Sequence, residues 1–461
     1  MTKTYDAIVI GAGMSGLAAA IRLAMYDKKV CILEKHTISG GLNSYYQRAK
    51  RPFDVGLHAM TNFVPKGTKA APMSKLLKQL RIPYEALELS EQNYSKITFP
   101  DYELSFSNNL ELLLSEIEKN FPDEIDGFNK LLQKIREFNE VALDNETVMA
   151  KDVVSHFIKN ESLLEMIFCP LLIYGSAWEN DMDFSQFVIM FKSIYLEGFC
   201  RPKNGVRTVI NLLLEKLENV GGEIHFRTEV AAIRTNHDGA ISEIETKKGE
   251  IYKAPVVLSS MGYPETMNVL DGENNYSPRV GKMTFTESIM LLDKKPSEMG
   301  QNATIIFYNN RPKYLYRKPT EIYDNQSAVV CFPNNFGHDD YEDGWIRMTN
   351  MANYELWKEL ERPEYLKEKE RVFNDSVELA KKLIPNFDAN ILVKDTFSPT
   401  TIERYTGHFG GTVYGSPDKS RDGKTPVKGL YLIGTDQGFL GIVGSMLSGI
   451  SMANLYGLME N

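Results

Sequence analysis

Residues 7–16 read Ala7-Ile8-Val9-Ile10-Gly11-Ala12-Gly13-Met14-Ser15-Gly16. The first four are apolar and mostly β-branched, as expected of a strand buried on both faces. The next six match G-x-G-x-x-G, and Leu17 to Met25 then reads as an Ala-rich helix. Lys29 to Leu33 reads as a second buried strand, ended by Glu34, 18 residues after Gly16. Gly11 permits a tight turn, Gly13 lets the backbone approach a pyrophosphate, and Gly16 allows helix to pack closely on strand. Ala12, Met14 and Ser15 complete the loop, whose N–H groups and helix dipole face the phosphates. Glu34 is placed to accept hydrogen bonds from a ribose diol, with Lys35 beside it. A bare glycine pattern is weak evidence. Strand, glycines, helix, strand and terminal acid in register predict a Rossmann-like α/β fold.

The next segment carries Gly40-Gly41-Leu42-Asn43-Ser44 and then Phe53-Asp54-Val55-Gly56-Leu57-His58. Here the chain resembles the flavin-containing amine oxidase and phytoene desaturase superfamily. The resemblance implies FAD as cofactor: a Gly-Gly turn, with Gly41, Leu42 and Asn43, against the diphosphate, then a Phe-x-x-Gly-x-His stretch beside the flavin. It also implies a cofactor domain of the glutathione reductase/amine oxidase type, with an inserted sheet-and-helix substrate domain. Further on, Pro202 to Gly205 opens a helix through Leu217, Gly221-Gly222 ends it, and short strands follow to Lys253. Ala254 to Met261 returns a buried strand to the sheet. In the superfamily this series is the second part of the FAD domain. Val230 matches the position that contacts adenine, and Met261 joins it among the cofactor-binding candidates.

Near the C-terminus, Gly429-Leu430-Tyr431-Leu432-Ile433-Gly434-Thr435-Asp436 reads as a strand ending in a small residue and an acid. Gly441 to Gly449 then opens the last helix, whose bare N-terminus suits an electron-rich ring edge. The candidates here are Gly434, Asp436 (for ribityl hydroxyls), Val443, Gly444 and Ser445. Upstream, Ser398-Pro399-Thr400-Thr401 and Gly411-Thr412-Val413-Tyr414-Gly415 resemble a block of the carotenoid isomerases and retinol saturases. Phytoene desaturases usually carry His-Pro-Gly after the final strand; Asp436-Gln437-Gly438-Phe439 stands here instead. The resemblance is therefore nearest the retinol saturase and carotenoid isomerase branch, strong at both ends and loose in the middle.

The middle reads as the inserted domain. Residues 96 to 107 look like a hairpin with a Pro-Asp turn. Asn108 to about Gly198 is helical, with apolar stripes at Phe157, Met166 to Tyr174 and Phe184 to Tyr195. Such stripes suit core packing and the wall of a tunnel for a long apolar substrate equally. Residues 283–295, 303–308, 327–332 and 344–351 alternate as strands do, and Leu356 to Leu383 is helical. These readings divide the chain into 1–82, 200–270 and 396–461 for the cofactor, and 83–199 and 271–395 for the substrate.

Composition narrows the classes. Lys plus Arg number 52 against 61 Asp plus Glu, a net charge of −9, so nucleic acid is excluded as a partner. Four scattered cysteines give no disulfide framework, and no metal-ligand spacing occurs. No run of eighteen apolar residues and no signal peptide are visible. The expectation is a soluble, cytoplasmic protein, with peripheral contact to the inner face of a membrane left open. One segment bears on that contact: residues 65–82 set Lys66, Lys69, Lys75, Lys78 and Arg81 around Met73, Leu76, Leu77 and Leu80. An ordinary surface helix is the weightier reading, and an anionic-membrane helix the other. The oligomeric state is not set by any motif.

The resemblance implies an enzyme in which FAD does the hydride chemistry on carbon–carbon bonds of a polyene, as saturase, desaturase or redox-neutral isomerase. By family position the polar residues near the ring are His58, Glu403, Arg404 and Tyr405. His58 reads as a proton donor or, with more weight, a structural histidine; Glu403 and Arg404 read also as a simple pair. The alternatives are a flavin amine oxidase and a non-enzymatic isoprenoid binder like the Rab GDP-dissociation inhibitors.

Overall fold

A computed structural model describes residues 2–270, 277–337 and 341–459. Among the described residues, five parallel strands form one sheet in the order Glu223–His225, Val30–Leu33, Ala7–Ile10, Val256–Ser259 and Leu430–Leu432. Ala7–Ile10 and Val30–Leu33 are buried throughout, as a parallel strand covered on both faces requires. One face carries helices Met14–Ala24, Val206–Asn219 and Gly441–Met452. The other carries a small sheet of Thr2–Thr4, Ile251–Lys253, Ile241–Thr246 and Val230–Thr235. The strands of the main sheet come from three separated stretches of chain. Two glycines set how close the layers come. A Cβ on Gly16 would lie 2.0 Å from the Gly11 carbonyl oxygen, and one on Gly449 2.1 Å from that of Ser15. No larger residue fits at either crossing.

The inserted region is a seven-stranded sheet in the order Ile391–Phe397, Thr284–Leu292, Gly344–Ala352, Ser327–Cys331, Ile305–Asn309, Ser95–Thr98 and Glu103–Phe106. Its strands pair antiparallel except Ile305–Asn309 with Ser95–Thr98. The expected hairpin and four strands are present within three residues at each end. The helical segment expected at 356–383 is two helices, Tyr354–Glu359 and Arg362–Leu383, because Pro363 starts the second and disfavours helix just before it.

The apolar stripes are core. Phe168 stacks on Phe187 at 4.9 Å, and Phe187 on Phe184 at 5.9 Å, within one cluster under the sheet. Only Ile173 and Tyr174 of those stripes reach the large cavity described below. The basic helix is Pro72–Leu80, and its Met73, Leu76, Leu77 and Leu80 are buried in the core beside Met14–Ala24 and Gly441–Met452. Its apolar face is spent inside the protein, which overturns the membrane-helix reading of that segment. One stretch among the described residues, Gly441–Met459, is long and apolar enough to cross a membrane by length and composition, yet it packs as a core helix.

Candidate functional site

The glycine loop and the Gly-Gly turn are built against each other. Gly40 N–H donates to the Ala12 carbonyl at 2.9 Å, and a Cβ on Gly41 would sit 3.4 Å from Gly13 Cα. Gly11 and Gly40 have φ of 94° and 119°, a turn that side chains resist. Helix Met14–Ala24 begins at Gly13 with no side-chain cap and no acid in its first turn among the described residues. Its free N–H groups and positive dipole end therefore face a cavity of about 270 Å³. Gly13 tests the fit of a dinucleotide: a Cβ there would meet nothing within 4 Å. The cradle is bare backbone with room before it, as a diphosphate needs.

Around this first chamber stand Met14, Ser15, Glu34, Lys35, Leu42, Asn43, Val230 and Met261. The buried Glu34 carboxylate is fixed by accepting from Ala12 N–H and His36 N–H, both at 2.7 Å. Each oxygen keeps a lone pair for ribose hydroxyls. Burial pushes the Lys35 ammonium down from its ordinary value. Ala12 and Gly16 lie behind the wall, as do Gly434, whose N–H donates to Ser448 Oγ at 2.7 Å, Val443 and Gly444. Asp436 is elsewhere than expected. Its carboxylate accepts from Tyr263 N–H at 2.7 Å and Ser416 N–H at 2.8 Å, with Lys419 Nζ at 3.7 Å. It braces three loops and does not line either chamber.

A second chamber of about 550 Å³ adjoins the first; Gly41, Leu42, Asn43, Tyr405, Thr406, Thr435 and Ser445 wall both. Helix Gly441–Met452 starts here at Leu440, without a side-chain cap among the described residues, presenting Gly441, Ile442 and Ser445. Apolar walls come from Ile173, Phe285, Val329 and Val413, with Tyr174 and Tyr414.

Of the four polar candidates, two reach this chamber. His58 is in its wall and Tyr405 on its rim, half exposed and edge-on to His36 at 5.6 Å. Glu403 accepts from Tyr354 Oη at 2.5 Å and from Gly410 N–H, so it does not pair with Arg404, which is exposed over the Tyr405 ring. Both lie outside the chamber lining.

Sequence reasoning missed the groups behind His58. Its Nε2 is 3.1 Å from Thr349 Oγ1 and 3.5 Å from Glu287 Oε1. Glu287 pairs with Arg347, whose guanidinium also donates to the Leu57 and Val55 carbonyls at 2.7 and 2.6 Å. Arg201 donates to the Leu57 and His58 carbonyls, both at 3.0 Å, and pairs with Asp54 at 2.5 Å. Burial pushes the His58 imidazolium down, against the pull of Glu287. Burial works to raise Glu287, but Arg347 and His58 hold it below the usual carboxylate range. The available signal was one acid and one base inside otherwise uncharged strand runs, Thr284–Leu292 and Gly344–Ala352.

A mixed α/β protein with a Rossmann-like dinucleotide-binding sheet and an inserted sheet-and-helix region is thus defined. Residues 9–80 match the model of the NAD(P)-binding Rossmann-like domain. The chain is 25% identical to a chloroplastic prolycopene isomerase of Daucus carota, over 98% of this chain and 80% of that protein. It is 23% identical to an all-trans-retinol 13,14-reductase of Danio rerio, over 98% of this chain and 86% of that one. Among solved structures, putrescine oxidase superposes with a TM-score of 0.63 at 15% identity, covering 98% of this chain and 99% of that chain. The similarity read from the motifs at both ends thus extends over the whole chain.

Proposed function

We propose that this protein is an FAD-dependent enzyme acting on carbon–carbon bonds of a long apolar polyene of carotenoid or retinoid type, as saturase, desaturase or isomerase. One observation carries the reading: a diphosphate cradle and a largely apolar chamber adjoin, with seven lining residues in common. FAD, when bound, supplies hydride acceptance or donation. The chain's residues do the rest. The Gly11–Gly16 loop and the Gly41 turn bind phosphates through backbone, and Glu34 receives the ribose. Val230 and Met261 cover the adenine side. The apolar side chains of the second chamber exclude water and align an extended hydrocarbon. Residues 1–82, 200–270 and 396–461 form the cofactor half in this reading, and 83–199 and 271–395 the substrate half. The strand Ile391–Phe397 carries the chain across that boundary. An apolar substrate of this kind is held in lipid, so the same reading puts the protein in the cytoplasm, in peripheral contact with a membrane.

The test is anaerobic mixing of the reduced holoprotein with polyenes, followed by chromatography of the lipid. Flavin reoxidation with loss of one conjugated double bond identifies a saturase; a changed isomer with unchanged flavin identifies an isomerase. Bleaching of oxidised flavin by amines, with no polyene converted, gives the reading to an amine oxidase. A purified protein without a flavin absorption band ends both.

A further inference from the structure

Within the apolar chamber, His58 is the ionisable group whose partners are arranged to move a proton. Its Nε2 is engaged by Thr349 and Glu287, while Nδ1 takes no hydrogen-bond partner among the described residues. His58 lines the chamber, and Nδ1 is not one of the sealed, unpartnered polar atoms of the interior. Thr349 Oγ1 can donate or accept, but Glu287 only accepts, so the pairing favours the neutral tautomer with its proton on Nε2 and its lone pair on Nδ1. Arg347 fixes that carboxylate through its own bonds to the Val55 and Leu57 carbonyls. Carboxylate, imidazole and open nitrogen in line form the arrangement by which an acid orients a histidine for proton transfer.

We propose that His58 is the proton-transferring residue of the chamber, with Nδ1 as the reacting atom and Glu287 and Arg347 as its positioning residues. The proposal rests on the polyene reading above. In saturation, reduced FAD, when bound, would supply hydride to one alkene carbon and be oxidised as the double bond is reduced. The other carbon takes the Nδ1 proton, and His58 is left neutral until solvent reprotonates it. In isomerisation, Nδ1–H protonates one end of a conjugated unit, the bond rotates, and Nδ1 takes a proton back. Nothing is oxidised or reduced overall. Glu287 offsets the imidazolium charge in both. The other charged or titratable groups facing His58 are Arg201 from Cys200–Pro202, Cys331 from Ser327–Cys331, and the phenols Tyr174 and Tyr414. The two arginines and burial disfavour the imidazolium, so the acid form is a minor but strong acid at neutral pH.

The experiment uses the holoprotein in D2O with all-trans-retinol and a poly-cis carotene. Wild type is expected to place solvent deuterium in the product. H58Q is expected to keep the flavin spectrum while conversion and deuterium incorporation both fall by about 10²–10⁴-fold. E287Q is expected to move the alkaline limb of the pH–rate profile, where the acid form of His58 is lost, to lower pH, because the imidazolium loses its counter-charge. Product without solvent deuterium, or H58Q turning over at the wild-type rate, overturns the proposal and leaves the polyene reading standing. If wild type converts no polyene, the functional reading fails. NMR of the 15N-labelled ring, which needs no substrate, then still decides the assignment. A neutral tautomer with the proton on Nδ1, or a titration unmoved by E287Q, overturns it.

Discussion

Gly13 and Gly16 are three residues apart in one motif, yet substitution acts on different properties. A Cβ on Gly13 points into the open chamber, so Gly13→Ala is expected to leave the apoprotein's thermal midpoint in place and to lower flavin retention on gel filtration. A Cβ on Gly16 meets backbone at 2.0 Å, so Gly16→Ala is expected to destabilise the fold itself, by about 1–3 kcal/mol in denaturant titration. These glycines, with Glu34, were legible because each satisfies a backbone requirement local to its motif. Asp436 accepts from the Tyr263 and Ser416 N–H groups, a role the motif did not reveal, since an acid after a strand serves a ligand or braces neighbouring N–H groups equally well. His408 carries a second prediction. Burial works to lower it, but Glu265 overrides burial and its value is raised. A raised histidine stabilises fully below its unfolded value, about 6.5, and loses that contribution as pH rises through the folded value. His408→Gln is therefore expected to lower the thermal midpoint most near pH 6, with the difference from wild type closing on the alkaline side.

At the scale of elements, Pro72–Leu80 shows how a basic amphipathic pattern is decided by what lies beneath it. Leu76→Ala is expected to cost about 2–5 kcal/mol in denaturant titration, as a buried leucine does. Reversing charge at exposed Lys75 should change stability by no more than about 0.5 kcal/mol and leave vesicle binding unaltered. The strands of the inserted sheet were legible from alternation, but their register was not. Glu287 stands opposite Thr349, and Ile289 opposite Arg347, so acid and base meet only on a diagonal that pairing creates. No spacing along the chain encodes that meeting. The buried pair has a pH signature. Glu287 is held below the ordinary carboxylate range, so its stabilisation is present at neutral pH and lost as pH falls through the folded value. Glu287→Gln is expected to lower the unfolding free energy at pH 7 by about 3–5 kcal/mol in denaturant titration, and far less near pH 4.

For the whole molecule, three stretches of chain build one sheet and the segments between them build the other. The ends were legible because strand, glycine turn and helix follow one another within a few residues. The chamber between the sheets was not, because its walls come from Ile173, Phe285, Val329 and Val413, which share nothing in sequence but an apolar side chain. The seven residues common to both chambers have an energetic consequence. A wall shared by two occupants makes their affinities reciprocal: whatever factor the first changes for the second, the second returns to the first. If Tyr405 and Thr406 settle differently once the second chamber is filled, the affinity for the flavin changes by the same factor as that for the second occupant, and equilibrium dialysis with and without polyene measures the ratio. On the proposed function, the partition between the chambers is a thermodynamic linkage through which substrate and coenzyme set each other's retention.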